Sequence, residues 1–402
     1  MCLNHLAINT GYYLLIPILS ILLTREKLLS LSEIALVLLV FSSTIRGSQF
    51  FTGPFLDTLS SRTTLVLGAL LTGGSFVIMG YVRTLPLLLL CSILTGLGAS
   101  ANLLAAKVYV AKVSSKEGKS LLYFSTLNVA ANVASSVGVL IGSALLASNQ
   151  NTVIFQLAGG SYLLAAAAVL LFLPSEPKDA QPQQREGRVW TRYRDVLGDR
   201  AYLRTLPFIF FGWFCYTQLY AVLPYFVSMY YHMADKLGLL FTLNALLIIT
   251  LQLVLSASAT KVVSQRNEHF LFLFSYLLYG AAFLCAGLFL SFGGIVGAVV
   301  LLTLAEMFFT PSADTLVSTY ARPGLQSTYF SMSGIARALG EGIGSYIGLS
   351  GLGFWLQQAH VSFFWFSLFA LAAIACLGFW LSEYLTRKAA RNVHTVSKSA
   401  DG

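Results

Sequence analysis

The sequence predicts an all-α membrane protein of twelve transmembrane helices in two pseudo-symmetric six-helix bundles. Three observations carry this. Twelve apolar stretches are each long enough to cross a bilayer, which takes roughly 20 mostly apolar residues. A single substantial hydrophilic segment, 174–205, sits almost at the midpoint and divides them six and six. The 402-residue chain is 56% hydrophobic but only 10% charged, with a mean hydropathy of +0.75, whereas soluble domains carry about 25% charged residues.

In order, the first bundle places spans at 3–23, 32–54, 64–82, 86–112, 120–147 and 152–173. The second places them at 206–230, 237–259, 269–291, 295–320, 327–350 and 360–384. The first span starts at Met1 with no basic leader, which argues against a removed signal peptide. Arg25 and Lys27 follow span 1, Arg83 follows span 3, and Lys236 precedes span 8; these four are the outer-face cations. Lys112, Lys116 and Lys119 fill loop 4–5, seven more cations fill the central segment, and Arg387, Lys388, Arg391 and Lys398 fill the tail. Eighteen of the 25 basic residues thus fall on one face and three, Arg46, Lys107 and Arg337, inside spans. Basic loops stay in the cytoplasm, so both termini are expected there, in an inner membrane crossed many times. The net charge of +9 follows this topology and gives no reason to expect nucleic acid.

The domains expected are an N-terminal bundle over 1–173, a cytoplasmic linker over 174–205, a C-terminal bundle over 206–386 and a cytoplasmic tail over 387–402. Pro174 to Gly187 is polar and rich in Pro and Gln, as linkers are. Arg192, Arg194, Arg200 and Arg204 alternate with Val196, Leu197 and Leu203, which fits either an interfacial amphipathic helix or a solvated basic strand of linker. Cys2, Cys91, Cys215, Cys285 and Cys376 form no metal-like pair and read as packing residues. No metal and no cofactor is expected.

The halves repeat at an offset of 206. Tyr123-Phe-Ser matches Tyr329-Phe-Ser, Ala130 matches Ala336, Gly138 matches Gly344, and Gly142 matches Gly348. Lys116-Glu-Gly118 keeps step with Arg322-Pro-Gly324. Repeats of this kind mark secondary transporters, whose substrate sites lie at mid-membrane between repeats.

Loop 2–3 reads Gly53-Pro-Phe-Leu-Asp57-Thr-Leu-Ser-Ser-Arg62. With it, the chain resembles the major facilitator superfamily over its whole length, and most nearly the twelve-span drug:proton antiporters. The resemblance implies the major facilitator fold and a monomeric carrier of small molecules and protons in a lipid bilayer. It also implies a gating loop at Gly53, Asp57 and Arg62 that latches span 2 to span 11. Thr58 and Ser61 replace basic residues of that signature, and Ser60 its glycine, so the latch is expected to be looser or differently wired. Ala305-Glu306-Met-Phe-Phe-Thr-Pro311 looks like the Gly-Glu…Pro run of some multidrug exporters. Ser92 stands where many members carry an arginine, and Gly138-Val139 where the antiporter motif has Gly-Pro.

A charge at mid-bilayer costs about 2.5–3.5 kcal/mol on insertion scales and usually faces a cavity. Glu306 lies ~16 Å and Arg46 ~20 Å below the outer ends of their spans at 1.5 Å per residue. Arg337 and Glu341 are four residues apart and share a helix face. Glu306 is the expected proton-coupling carboxylate, with Glu341 and Asp314 as alternates. The substrate cavity is expected to draw on Arg46, Gln49, Asn128, Asn132, Tyr216, Gln218, Tyr220, Asn244 and Arg337, an amphipathic lining suited to a bulky ligand. Lys107 and Asp314 fall close enough in the repeat to pair. The function expected is proton-coupled export of an amphipathic drug-like compound. An anionic metabolite or siderophore-like cargo is the alternative that Arg46 and Arg337 favour. An enzyme is not expected, because no nucleophile elbow, metal cluster or P-loop is present, and a receptor would normally append a soluble domain.

Overall fold

The structure, a computed structural model, describes residues 1–19, 22–23, 31–56, 59–148, 150–173, 189–233, 236–262 and 268–400. In the N-terminal half the helices are α1 (Cys2–Leu15), α2 (Leu31–Leu56), α3 (Ser61–Tyr81), α4 (Leu85–Glu117), α5 (Ser120–Ala147) and α6 (Asn151–Phe172). Two short helices follow in the linker, α7 (Val189–Leu197) and α8 (Arg200–Leu203). The C-terminal half has α9 (Leu206–Thr217), a π-helical turn (Gln218–Val222), α10 (Leu223–Tyr230), α11 (Leu237–Val262), α12 (Glu268–Leu288), α13 (Phe292–Tyr320), α14 (Gln326–Gln357) and α15 (Val361–Ala400). Each of the twelve apolar stretches carries a helix, with α9, the π turn and α10 forming one. Among the described residues, nine helices are long and apolar enough to cross a membrane. α14 is not one of them, because Arg337, Glu341 and frequent Gly and Ser lower its hydropathy. α15 runs on to Ala400, well past the apolar stretch, because the Ala, Arg and Lys residues that follow are strong helix formers.

The chain divides into two compact units. One comprises Met1–Asp199, Ile248–Gln265 and Asp314–Ile335; the other comprises Arg200–Leu247, Arg266–Ala313 and Ala336–Gly402. In the first, α1 packs on α5 and α6, α2 on α4, and α3 on α4 and α6. Its core gathers Leu15, Leu19, Phe41, Phe76, Phe155 and Tyr162. Lipid supplies no hydrophobic drive between helices, so close backbone approach through small residues does the work. At the α3–α4 crossing, a Cβ on Gly68 would stand 2.7 Å from the Gly98 carbonyl, and one on Gly98 2.7 Å from that of Gly68. In the second unit α12 packs on α15, around Phe272, Phe283 and Trp365.

The repeat is visible at its glycines. Gly118 and Gly324 both adopt the left-handed conformation (φ 65° and 79°), which costs glycine nothing; Gly118 caps the end of α4, and Gly324 stands in the turn between α13 and α14. Gly138 lets α5 close on the backbone of α1 at Thr10 and Leu14, and its counterpart Gly344 lets α14 close on α9 at Phe214.

The linker helix is packed on one face: Tyr193, Val196 and Tyr202 are buried, and Arg192 is only 6% exposed, whereas Trp190 and Leu197 are exposed.

Candidate functional site

Glu306 sits in α13 with 2% of its surface exposed. Its carboxylate Oε2 accepts from the Tyr220 hydroxyl at 3.2 Å and from Asn244 Nδ2 at 3.2 Å. Asn244 Nδ2 also reaches Thr303 Oγ1 at 3.0 Å, and the Tyr220 hydroxyl lies 3.3 Å from Asn244 Oδ1. Thr303 is three residues before Glu306 and shares its helix face; its own hydroxyl is anchored on the Val299 carbonyl at 2.7 Å. Among the described residues, the partners of Glu306 are a phenol and an amide. Among those residues no ion pair to Glu306 is formed.

Tyr220 reaches this carboxylate from the π turn. Pro224 has no N–H, so the carbonyl of Tyr220 lacks its usual intrahelical donor, and the extra residue of a π turn accommodates the break. Gln218, at the head of the turn, is fully buried and donates to the carbonyls of Phe214 at 2.7 Å and Gly344 at 3.1 Å. In this structure it therefore fixes the α9–α14 crossing.

Aromatic rings continue from Tyr220 in both directions. Its ring stacks on Phe241 (6.0 Å between centroids) and lies 5.0 Å from Tyr216, which meets Trp213 edge-on at 4.8 Å. The Arg337 guanidinium covers Trp213 at 3.8 Å and pairs through Nε with Glu341 Oε1 at 2.8 Å. One strip of the second unit thus joins Arg337, Trp213, Tyr216, Tyr220, Asn244 and Glu306, alternating charge, ring and amide.

The remaining expected residues belong to the first unit. Asn128 Nδ2 reaches Gln252 Oε1 at 3.2 Å, and Asn132 Nδ2 bonds the Asn128 carbonyl at 3.0 Å. Lys107 Nζ and Asp314 Oδ1 form an ion pair at 2.6 Å with both side chains about one-fifth exposed. The Gln49 carbonyl accepts from the Ser331 hydroxyl. Gly53 faces Ser331 and Ser327 of α14, with the Ser327 carbonyl 3.1 Å from where a Cβ would stand. Arg62 Nη2 donates to the Leu170 carbonyl of α6 at 2.7 Å. Asp57 and the side chain of Arg46 lie outside the described residues. Thr303 and Phe241 escaped the sequence reading, although the spacing of Thr303 from Glu306 could have flagged it.

A sequence model of the Major Facilitator Superfamily matches residues 1–345. The chain belongs to the major facilitator superfamily. It is accordingly a multi-pass membrane protein of a transporter family, not of an enzyme family. Within that superfamily it is 26% identical over 354 residues to the multidrug resistance protein MdtH of Aeromonas salmonicida, covering 87% of this chain and 85% of the relative. It is 22% identical over 368 residues to a Na(+), Li(+), K(+)/H(+) antiporter of Planococcus maritimus, covering 83% and 84%. Among solved structures, the human organic anion transporter MFSD10 (TETRAN) superposes with a TM-score of 0.69 at 19% identity, covering 94% of this chain and 97% of that one. The Escherichia coli fucose:proton symporter FucP gives 0.66 at 15%, with the same coverage. Both share the major facilitator fold with this chain.

Proposed function

We propose that this transporter exports an amphipathic, drug-like compound by alternating access, in exchange for protons, across a bacterial inner membrane with both termini cytoplasmic. The observation that carries the reading is Glu306, a buried carboxylate held by Tyr220 and Asn244, with no ion pair to it among the described residues. A buried charge without a counter-charge is costly, and in this setting a proton, or a cationic cargo, neutralises it in place. Glu341 and Asp314 each carry a cation already, Arg337 and Lys107, so Glu306 is the carboxylate assigned to coupling. The ring strip running through Tyr220 and Tyr216 offers the apolar, polarisable wall that a bulky ligand needs. The multidrug resistance proteins among the relatives support the same cargo class.

The test is uptake of ethidium into vesicles carrying the purified protein under an imposed pH gradient, with a fluorescein-class anion as the parallel arm. Glu306→Gln holds the neutral amide in place of the acid; it should abolish pH-driven accumulation while ethidium binding stays measurable. Continued accumulation against a gradient by Glu306→Gln would refute the assignment. Accumulation of the anion alone would favour an anionic cargo.

A further inference from the structure

The geometry points to a clasp built from the linker helix: α7 holds the end of α2 against α14 through Tyr193 and Arg192, beside a loop 2–3 whose sequence is poor in basic residues. The need originates in α2 itself. Pro54 lies inside this helix and carries no N–H, so it cannot make the usual i+4 bond to the carbonyl of Phe50. The Tyr193 hydroxyl donates to that carbonyl. Four residues on, the carbonyl of Pro54 lies in the last described turn of α2. Arg192 Nη1 donates to it at 2.7 Å, where a cation also meets the negative end of the helix dipole.

Ring packing fixes the same register. Tyr193 stacks on Phe50 with centroids 4.8 Å apart and planes 19° apart, and Trp190 meets Phe50 edge-on at 6.1 Å. α14 joins through Ser331, whose hydroxyl donates to the Gln49 carbonyl, one residue before Phe50, and lies 3.1 Å from the Tyr193 hydroxyl. Two hydroxyls from two different helices therefore serve neighbouring carbonyls of a third. Gly53 makes the approach possible, since a Cβ there would run into Ser331. Past the end of α7, Asp199 accepts from the Tyr329 hydroxyl at 2.7 Å and pairs with Arg322 at 3.5 Å, so the linker grips the start of α14 at a second point.

These bonds come from α7 and α14, and the sequence of loop 2–3 is poor in the charges that would otherwise serve there. Thr58 and Ser61 hold places that are basic in the superfamily's signature, and the cation that persists, Arg62, donates to Leu170 of α6. Spans 2 and 11 are thus joined by a helix of the linker, and opening this side during transport requires α7 to release the end of α2.

Hydrogen–deuterium exchange on the full-length protein in lipid nanodiscs tests the clasp. Tyr193→Phe keeps the stacked ring and deletes only the hydroxyl; Arg192→Gln deletes the charge. Each should speed amide exchange at the end of α2 (50–56) and the start of α14 (326–335) by about fivefold, the weight of one net hydrogen bond. Leu197→Ala, at an exposed position of the same helix, should leave both segments unchanged. The proposal fails if the Arg192→Gln, Tyr193→Phe double variant accelerates 189–199 alone, which would make α7 a passive strap. It fails equally if α12 (268–288) accelerates as much, since the two residues would then serve stability everywhere.

Discussion

Arg337 has two partners of different kinds, and they predict unequal single variants. Its Nε pairs with Glu341 at 2.8 Å and its guanidinium plane lies over Trp213 at 3.8 Å. Removing Glu341 leaves the arginine on an aromatic face, an interaction worth about 0.5–2 kcal/mol, with 38% of its side chain open to solvent. Removing Arg337 leaves Glu341, only 12% exposed, with a largely desolvated charge that has lost this counter-charge. Arg337→Ala is therefore expected to destabilise more than Glu341→Ala, by less than the ~3–5 kcal/mol of a fully buried broken pair. The Arg337→Ala, Glu341→Ala double should be more stable than Arg337→Ala alone. Melting temperatures of the four proteins in one detergent check this ordering; a double variant worse than both singles would place one of these charges on a ligand or proton. The i,i+4 spacing made this pair legible in the sequence. Trp213 was legible only as one ring among many, because nothing in a linear chain says that α9 crosses α14 at Gly340 and Gly344.

At the scale of elements, the π turn links a proline to the carboxylate site. Pro224 is plain in the sequence, but the turn that answers it is settled by packing, with Gln218 bonded to the Gly344 carbonyl. Pro224→Ala restores the missing N–H and permits ordinary α-helix through 218–222. Losing the extra residue rotates one side of the helix against the other by about 100°, which carries the Tyr220 hydroxyl away from Glu306. Pro224→Ala and Tyr220→Phe are thus expected to shift the pH profile of ethidium uptake in the same direction, because both strip a donor from Glu306. A profile for Pro224→Ala identical to wild type, beside a shifted Tyr220→Phe, would show that the turn does not aim the phenol. The repeat was more legible than the turn. Its glycines recur at an offset of 206 because both halves solve the same two problems, a left-handed turn before the fifth span and a close crossing, and only glycine solves either cheaply. The linker helix was half legible: its alternating arginines and apolar residues indicated a helix, while its buried face depended on carbonyls of α2 that hydropathy does not register.

For the whole molecule, the units follow polar bonds and not the midpoint of the chain. Ile248–Gln265 and Asp314–Ile335 group with the N-terminal helices, where Gln252 meets Asn128, Ser256 bonds Ser125 at 2.6 Å, Asp314 pairs with Lys107, and Ser331 meets the clasp. Each bond joins residues more than 120 positions apart in sequence, so hydropathy could predict the helices but not this grouping. The clasp and the Lys107–Asp314 pair lie towards the ends of helices that the linker and loop 4–5 adjoin, and those segments hold ten of the 25 basic residues. Lysine and arginine are retained on the cytoplasmic side, so these bonds are expected to close the cytoplasmic end, and their release to mark the inward-opening step. A single cysteine introduced by Ser175→Cys, with the five native cysteines replaced, should resist a membrane-impermeant maleimide in intact cells and react once the membrane is broken. Labelling from outside would invert the topology and turn the clasp into an outer gate, with the direction of export reversed along with it.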